Sequence, residues 1–202
     1  FVGPHEHLMQ NFGVDIQRKI VEHLQVVNII NDSQHGFMKG RSCLTNLLKY
    51  LETVTKLLDE GVPVDVMYLD IAKAFDKVPH ARLLKKLEAH GIGGHFTRWI
   101  KNWLGGRRQR VNINGKLSGW ANVMSGVPQG SVLGPLLFLI FINDIDDGIM
   151  SKIWKFADDS KICSSVVDET DAELVQKDLK NLFNWSEDWQ MLFNIDKCIV
   201  LH

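Results

Sequence analysis

Two adjacent acids, Asp158 and Asp159, follow the apolar pair Phe156-Ala157, and a third, Asp70, ends the apolar stretch Val64 to Leu69. Successive residues of an extended strand point to opposite faces, so one carboxylate of the pair can aim at a shared site while the other serves it from a turn. If the two segments are neighbours in one sheet, all three acids converge on a small volume. Carboxylates held that closely repel one another unless one is protonated or a divalent cation neutralises them. Hard oxygen donors with open positions suit Mg²⁺, with Mn²⁺ as a substitute, and such an ion takes substrate phosphates as further ligands. Two such ions about 4 Å apart can activate an attacking hydroxyl and hold a leaving pyrophosphate. An isolated Asp-Asp pair is more often plain turn chemistry, because Asp favours turns and is readily solvated. The surrounding motifs must decide between the two readings.

The elements that would position these acids can be read from periodicity. Ser42 caps a predicted helix whose apolar residues Leu44, Leu47, Leu48, Leu51, Val54 and Leu58 have helical spacing, and Gly61 with Pro63 stops it. Val64 to Leu69 reads as a buried strand that delivers Asp70. Pro79 opens a short helix with Leu83, Leu84 and Leu87, and a second follows with Phe96, Trp99, Ile100, Trp103 and Leu104. Asn114-Gly115 signals a tight hairpin, with Trp120 to Met124 as a returning strand. Pro135 suits the first turn of a helix whose residues Leu136 to Ile142 are apolar all round and therefore buried.

Ile153 to Phe156 and Lys161 to Ser165 form a second predicted hairpin around Asp158-Asp159. Thr170 and Glu173 suggest a capping box for a helix to about Trp189, and Cys198 to Leu201 is a last strand. The stretch 1–32 looks helical and has no evident role. Strands and helices mix without strict alternation, which favours an α+β arrangement of antiparallel sheet on helices over a doubly wound parallel sheet.

Composition narrows the class. The chain has 202 residues, 45% of them hydrophobic and 23% charged, which is ordinary for a globular protein with a substantial core. A net charge of -1 gives no long-range pull toward a polyanion, so nucleic-acid contacts must come from local basic clusters. Lys101 with Arg107, Arg108 and Arg110 is the densest of these. Cys43, Cys163 and Cys198 are far apart with no CxxC pair, which argues against disulfides or a zinc knuckle and fits an intracellular compartment. No HExxH or other clustered histidine spacing suggests zinc, and the longest apolar run, Val132 to Ile142, is too short to span a bilayer. No partnership with a membrane is expected.

Taken in order, Gln34-His35-Gly36-Phe37, Tyr68-Leu69-Asp70-Ile71-Ala72-Lys73-Ala74-Phe75-Asp76, Ser125-Gly126-Val127-Pro128-Gln129-Gly130-Ser131 and Phe156-Ala157-Asp158-Asp159 resemble the motifs of reverse transcriptases. The likeness is strongest to LINE-type, non-long-terminal-repeat retrotransposons of the jockey-like group, and runs from about Ser33 to the last residue. It implies a palm-like antiparallel sheet packed on helices, with partial fingers elements over 33–202, acting as an RNA-directed DNA polymerase on an RNA template, a DNA primer and dNTPs. The remainder of a larger retrotransposon polyprotein would be a further partner.

Residue by residue, Asp70 and Asp158 resemble the metal-binding aspartates, Asp159 the neighbouring acid, and the Ile71 carbonyl a further metal contact. Phe75 resembles the steric gate that leaves no room for a 2′ hydroxyl. Gln129 and Gly130 match the loop beside the incoming nucleotide and template, and Lys197 the late-motif lysine that protonates or neutralises pyrophosphate. Lys39 and Arg41 fall in the basic template-contacting segment, where Met38 replaces the usual Arg. Nothing before Gln34 resembles the upstream triphosphate-gripping motif, and the primer grip and thumb that follow in relatives are not in this sequence. The 33–202 core is therefore expected to be C-terminally truncated and, by itself, to bind or polymerise poorly. Two other readings stay open: a catalytically silent palm remnant that binds nucleic acid or a protein partner, and a metal phosphatase or nuclease, which would have no need of Phe75 or the Val127–Gly130 loop.

Overall fold

The computed structural model describes residues 18–22 and 29–202. Residues 18–22 are helical and 29–32 are not; the rest of the expected N-terminal helical segment lies outside the described residues. Along the chain the elements are α1 (Cys43–Asp59), β1 (Val64–Leu69), α2 (Ala74–Lys77), α3 (His80–Ala89), α4 (His95–Leu104), β2 (Arg108–Gln109), β3 (Asn112–Ile113), β4 (Lys116–Leu117), β5 (Ala121–Asn122), α5 (Leu133–Ile142), β6 (Lys152–Phe156), β7 (Asp159–Ser165), α6 (Glu169–Trp189) and β8 (Ile199–Leu201). The chain divides into two compact units.

Ile30–Ala74 and Ile142–His202 make one unit. Its centre is an all-antiparallel sheet in the order β6-β7-β1-β8. Alternate strand residues Val66, Trp154 and Cys163 pack with Tyr50, Val54 and Leu57 of α1. Met67 and Ile162, paired across the sheet, point the other way and are buried as well. The expected α+β class and antiparallel sheet are thus present.

Two local expectations differ in phase. The capping box at Ser42 forms with Thr45, yet the leucine stripe of α1 faces out: Leu44 is 62% and Leu48 56% exposed, and Asn46 and Tyr50 are buried instead. Asn46 is drawn in because its Nδ2 donates to Lys155 O at 3.1 Å. At α6 the cap is Asp168, which accepts from Asp171 N at 3.0 Å, two residues before the expected Thr170.

The second unit holds Phe75–Phe141 with the described residues before Ile30. In α3 and α4, Leu83, Leu87, Ile100 and Leu104 are fully or almost fully buried, while Phe96 is exposed. Asn114 and Gly115 both have positive φ, the geometry a two-residue turn between β3 and β4 requires. The wholly apolar α5 is buried along Leu136 to Ile142 as expected. Its start is set by Ser131, whose Oγ accepts from Gly134 N at 3.0 Å and donates to Pro128 O at 2.7 Å.

Candidate active site

β1 and β7 pair from Val64↔Ser165 to Leu69↔Ser160. Asp70 and Asp159 flank the last of these pairs, at the end of β1 and the start of β7. The hairpin turn itself is Ala157-Asp158, since Phe156 pairs directly with Asp159. Ala157 takes a positive φ of 56°, which a tight antiparallel turn demands and alanine adopts only under constraint.

The constraint comes from Gln34. Its Oε1 accepts from Ala157 N at 2.8 Å and its Nε2 donates to Ala157 O at 3.2 Å. The backbone of 33–35 runs beside β6, with Lys155 N donating to Ser33 O and His35 N to Lys155 O, both at 2.8 Å. Below the turn, buried Lys155 donates to Asp146 Oδ1 at 2.6 Å and to Asn143 O at 3.0 Å. Ser33 and Asn31 complete the Asp146 carboxylate. The sequence motifs do not show these contacts, although a lysine between Trp154 and Phe156 in an apolar strand is a signal for a buried ion pair.

Asp158 is half-buried and Asp159 exposed. Burial pushes the Asp158 carboxyl up, and the negative charges of Asp159 and Asp70 push the same way against its own backbone hydrogen bond and Lys197. Among the described residues no three His, Cys, Asp or Glu side chains close into a metal-holding group. The acids are electrostatic neighbours, and the full three-acid convergence expected from sequence is not formed. The donor set nevertheless fits a hard divalent cation: carboxylate oxygens whose mutual repulsion such a cation relieves. The Ile71 carbonyl fits too, because the antiparallel bridge Ile71↔Phe193 uses Asp70 O and Ala72 N, which turns the Ile71 carbonyl to the opposite edge, that of β7.

Lys197 lies in a 3₁₀ turn just before β8 and reaches Asp70 Oδ2 at 3.6 Å. Asp70, Asp159, Lys197, Lys161, Tyr68 and Phe156 line a cavity of about 370 Å³. Lys39 is exposed. Arg41 bonds Asp32 Oδ1 at 2.6 Å and Gln34 O at 2.6 Å, which ties down the segment that carries Gln34.

Phe75 and Gln129 belong to the other unit. Phe75 stacks on Phe138 with ring centroids 4.3 Å apart, and its carbonyl accepts from Val127 N at 2.8 Å. Gln129 Nε2 donates to Asp76 Oδ1 at 3.2 Å, and Ser125 Oγ donates to Asp76 O at 2.8 Å. A Cβ at Gly126 would stand 2.7 Å from Asp76 Cα, so glycine permits this approach. Gly130, with φ of 78°, is exposed beside Gln129. The four-residue segment Ile71–Ala74 separates Asp70 from Phe75 in the chain.

The three cysteines are free thiols, and among the described residues no helix is long and apolar enough to cross a membrane. Residues 8–202 match the family model described as reverse transcriptase (RNA-dependent DNA polymerase). The chain is 31% identical over 185 residues to the "Probable RNA-directed DNA polymerase from transposon X-element" of Drosophila melanogaster, covering 89% of this chain and 20% of that protein. It is 29% identical over 206 residues to the RNA-directed DNA polymerase from mobile element jockey of Drosophila funebris, covering 95% of this chain and 22% of that protein. The chain thus spans about a fifth of these relatives. Apo telomerase from Candida tropicalis superimposes with a TM-score of 0.69 at 9% identity, over 94% of this chain and 37% of that one, which speaks to the fold.

Proposed function

This chain belongs to the reverse transcriptase family, in the group of the jockey-like, non-long-terminal-repeat elements, and from that premise we propose that residues 33–202 are the fingers and palm core of an RNA-directed DNA polymerase. Its substrates in this reading are an RNA template, a DNA primer and dNTPs, and its wider partner is the remainder of a retrotransposon polyprotein. The observation that carries the reading is the Leu69↔Ser160 end of the β1–β7 pairing, which Asp70 and Asp159 flank and the Asp158 turn adjoins, and where burial first, then the charges of Asp159 and Asp70, raise the Asp158 carboxyl.

Asp70, Asp158 and the Ile71 carbonyl are the proposed donors for Mg²⁺ or Mn²⁺. Bound there, the metal would supply Lewis-acid activation of the primer 3′ hydroxyl and charge neutralisation at the leaving pyrophosphate, by the two-ion route. Asp159 adds negative charge beside them. Lys197, which reaches Asp70, would donate a proton or hydrogen bond to pyrophosphate oxygen. Phe75 would exclude a 2′ hydroxyl, Gln129 and Gly130 would contact nucleotide and template, and Lys39 and Arg41 would meet template phosphates, with Arg41 also bracing the Gln34 segment.

Primer extension on a homopolymeric RNA template tests this. Incorporation of the complementary dNTP with Mg²⁺ or Mn²⁺, lost in Asp158→Asn, is the expected result. A folded chain that incorporates nothing selects the silent-remnant reading, and phosphoester hydrolysis without template selects the hydrolase.

A further inference from the structure

Between Glu88 and Asp144 the chain has no acidic residue, and its Arg and Lys residues there are Arg98, Lys101, Arg107, Arg108, Arg110 and Lys116. For a chain of net charge -1 this is a strong local concentration of positive charge. Arg107 is not part of the outward surface: its Nε donates to Leu104 O at 2.9 Å and its Nη2 to Gly126 O at 2.6 Å, anchoring the root of the ribbon that follows. Beyond it every residue from 108 to 122 is exposed.

Within that ribbon Arg108 pairs with Asn122 and Gln109 with Ala121. One step further sets Arg110 opposite Trp120, and strand alternation puts Arg108, Arg110 and Trp120 on the same face. The side chains do meet: the guanidinium carbons of Arg108 and Arg110 lie 5.3 Å and 4.5 Å from the Trp120 ring centroid. Trp120 is still 53% exposed. Stacking holds the planar guanidinium forks extended beside the indole, so little freedom remains to be lost when they bind phosphate. An aromatic platform flanked by cations is the chemistry that grips single strands, through base stacking and backbone neutralisation without sequence readout.

We propose that this face of the ribbon binds a single-stranded nucleic acid, stacking a base on Trp120 and pairing its phosphates with Arg108 and Arg110. None of these residues belongs to the carboxylate set, and binding through them needs no metal. A protein partner would instead be recognised through the exposed apolar residues Val111, Ile113 and Leu117; the all-basic charge favours the polyanion.

The test is fluorescence anisotropy of labelled oligo(rU) and oligo(dT) with the whole chain in EDTA, so that metal chemistry neither produces nor hides binding. Trp120→Ala is expected to weaken binding about 10-fold, and Trp120→Phe to recover most of it. Replacing both Arg108 and Arg110 by Gln is expected to flatten the salt dependence by about 1.4 in log–log slope, from roughly 0.7 per phosphate contact, while Lys at both positions preserves the slope. Near-UV circular dichroism confirms that each variant is folded. Comparison of the two oligomers shows whether RNA or DNA is preferred. Parent-like binding by the Trp120→Ala and double-Gln variants overturns the proposal. So does a change in sedimentation on Val111→Ser with Ile113→Ser while the Trp120→Ala variant binds both oligomers normally, which would make the ribbon a protein contact.

Discussion

Gly36 lies against Ala157 so closely that a Cβ on Gly36 would collide with the Ala157 amide nitrogen and come within 3.0 Å of its Cα. The same alanine is held through its N–H and C=O by Gln34, so this early loop acts as a template on which the Asp158 turn is shaped. Gly36→Ala is expected to cost about 1–3 kcal/mol through overpacking against backbone that cannot yield. Gln34→Ala leaves the buried Ala157 groups unpaired at a similar cost. Both variants should lose extension activity by more than their loss of folded protein, because Asp158 follows Ala157 directly. Equal activity per folded molecule, with folding followed by thermal melts, would show that the loop merely packs.

Asp158 itself connects activity to stability. For an acid whose carboxyl is raised in the fold, the protonated form is favoured; folding stability is intact below the unfolded value of about 3.9 and is lost as pH rises through the raised value. Asp158→Asn removes the half-buried charge, and with it the burial penalty and the repulsion from Asp159 and Asp70. At pH 7 in EDTA the variant should therefore melt above the parent, and the difference should shrink toward pH 4. Mg²⁺ should raise the parent's melting temperature and not the variant's, and extension by the variant should fall below detection. A parent that gains nothing from Mg²⁺ while the variant extends primers at the parent's rate would remove the metal assignment.

What sequence made legible follows a physical division. β1 and the Asp158 hairpin could be read because apolar runs bounded by turn residues define strands locally, and their pairing aligns Asp70 with the turn. The buried side of α1 could not, because five leucines at helical spacing outweigh Asn46 until Lys155 O, far along the chain, supplies a partner for its amide. The division into two units was also silent in composition. The chain crosses between them at Ile29–Ile30, Ala74–Phe75 and Phe141–Ile142, the last two within α2 and α5, where no linker is needed. Motif residues such as Gln34 and Asp76 showed their sequence company but not their contacts, since those partners are set by tertiary approach.

The Lys155–Asp146 pair beneath the hairpin supplies an acid-sensitive support. Burial works against the Asp146 charge, but the Lys155 ammonium with the Ser33 and Asn31 donors overcomes it and holds the carboxyl below its usual range. Its stabilising contribution is present above the unfolded value of about 3.9 and is lost as pH falls through the lowered folded value. Asp146→Asn strands a fully buried ammonium, at a cost of about 3–5 kcal/mol at pH 7. Denaturant midpoints should converge for parent and variant as both are taken to acid pH. Coincident midpoints at pH 7 would mean that the pair contributes nothing to the fold.

Phe75 carries the remaining specificity prediction. Its ring is held by a near-parallel stack on Phe138, with an interplanar angle of 16°, and its backbone by Val127, so its position is fixed by the same loop that presents Gln129. A wall this rigid can exclude one hydroxyl where a mobile side chain would move aside. Phe75→Ala should lower discrimination between dTTP and UTP, measured as the ratio of kcat/KM values on an oligo(rA) template, by roughly 10-fold or more. It should also cost about 0.5–1.5 kcal/mol from the lost ring pair, in addition to the area uncovered. Reduced stability with an unchanged nucleotide ratio would make Phe75 a packing residue and move the sugar-selecting wall elsewhere.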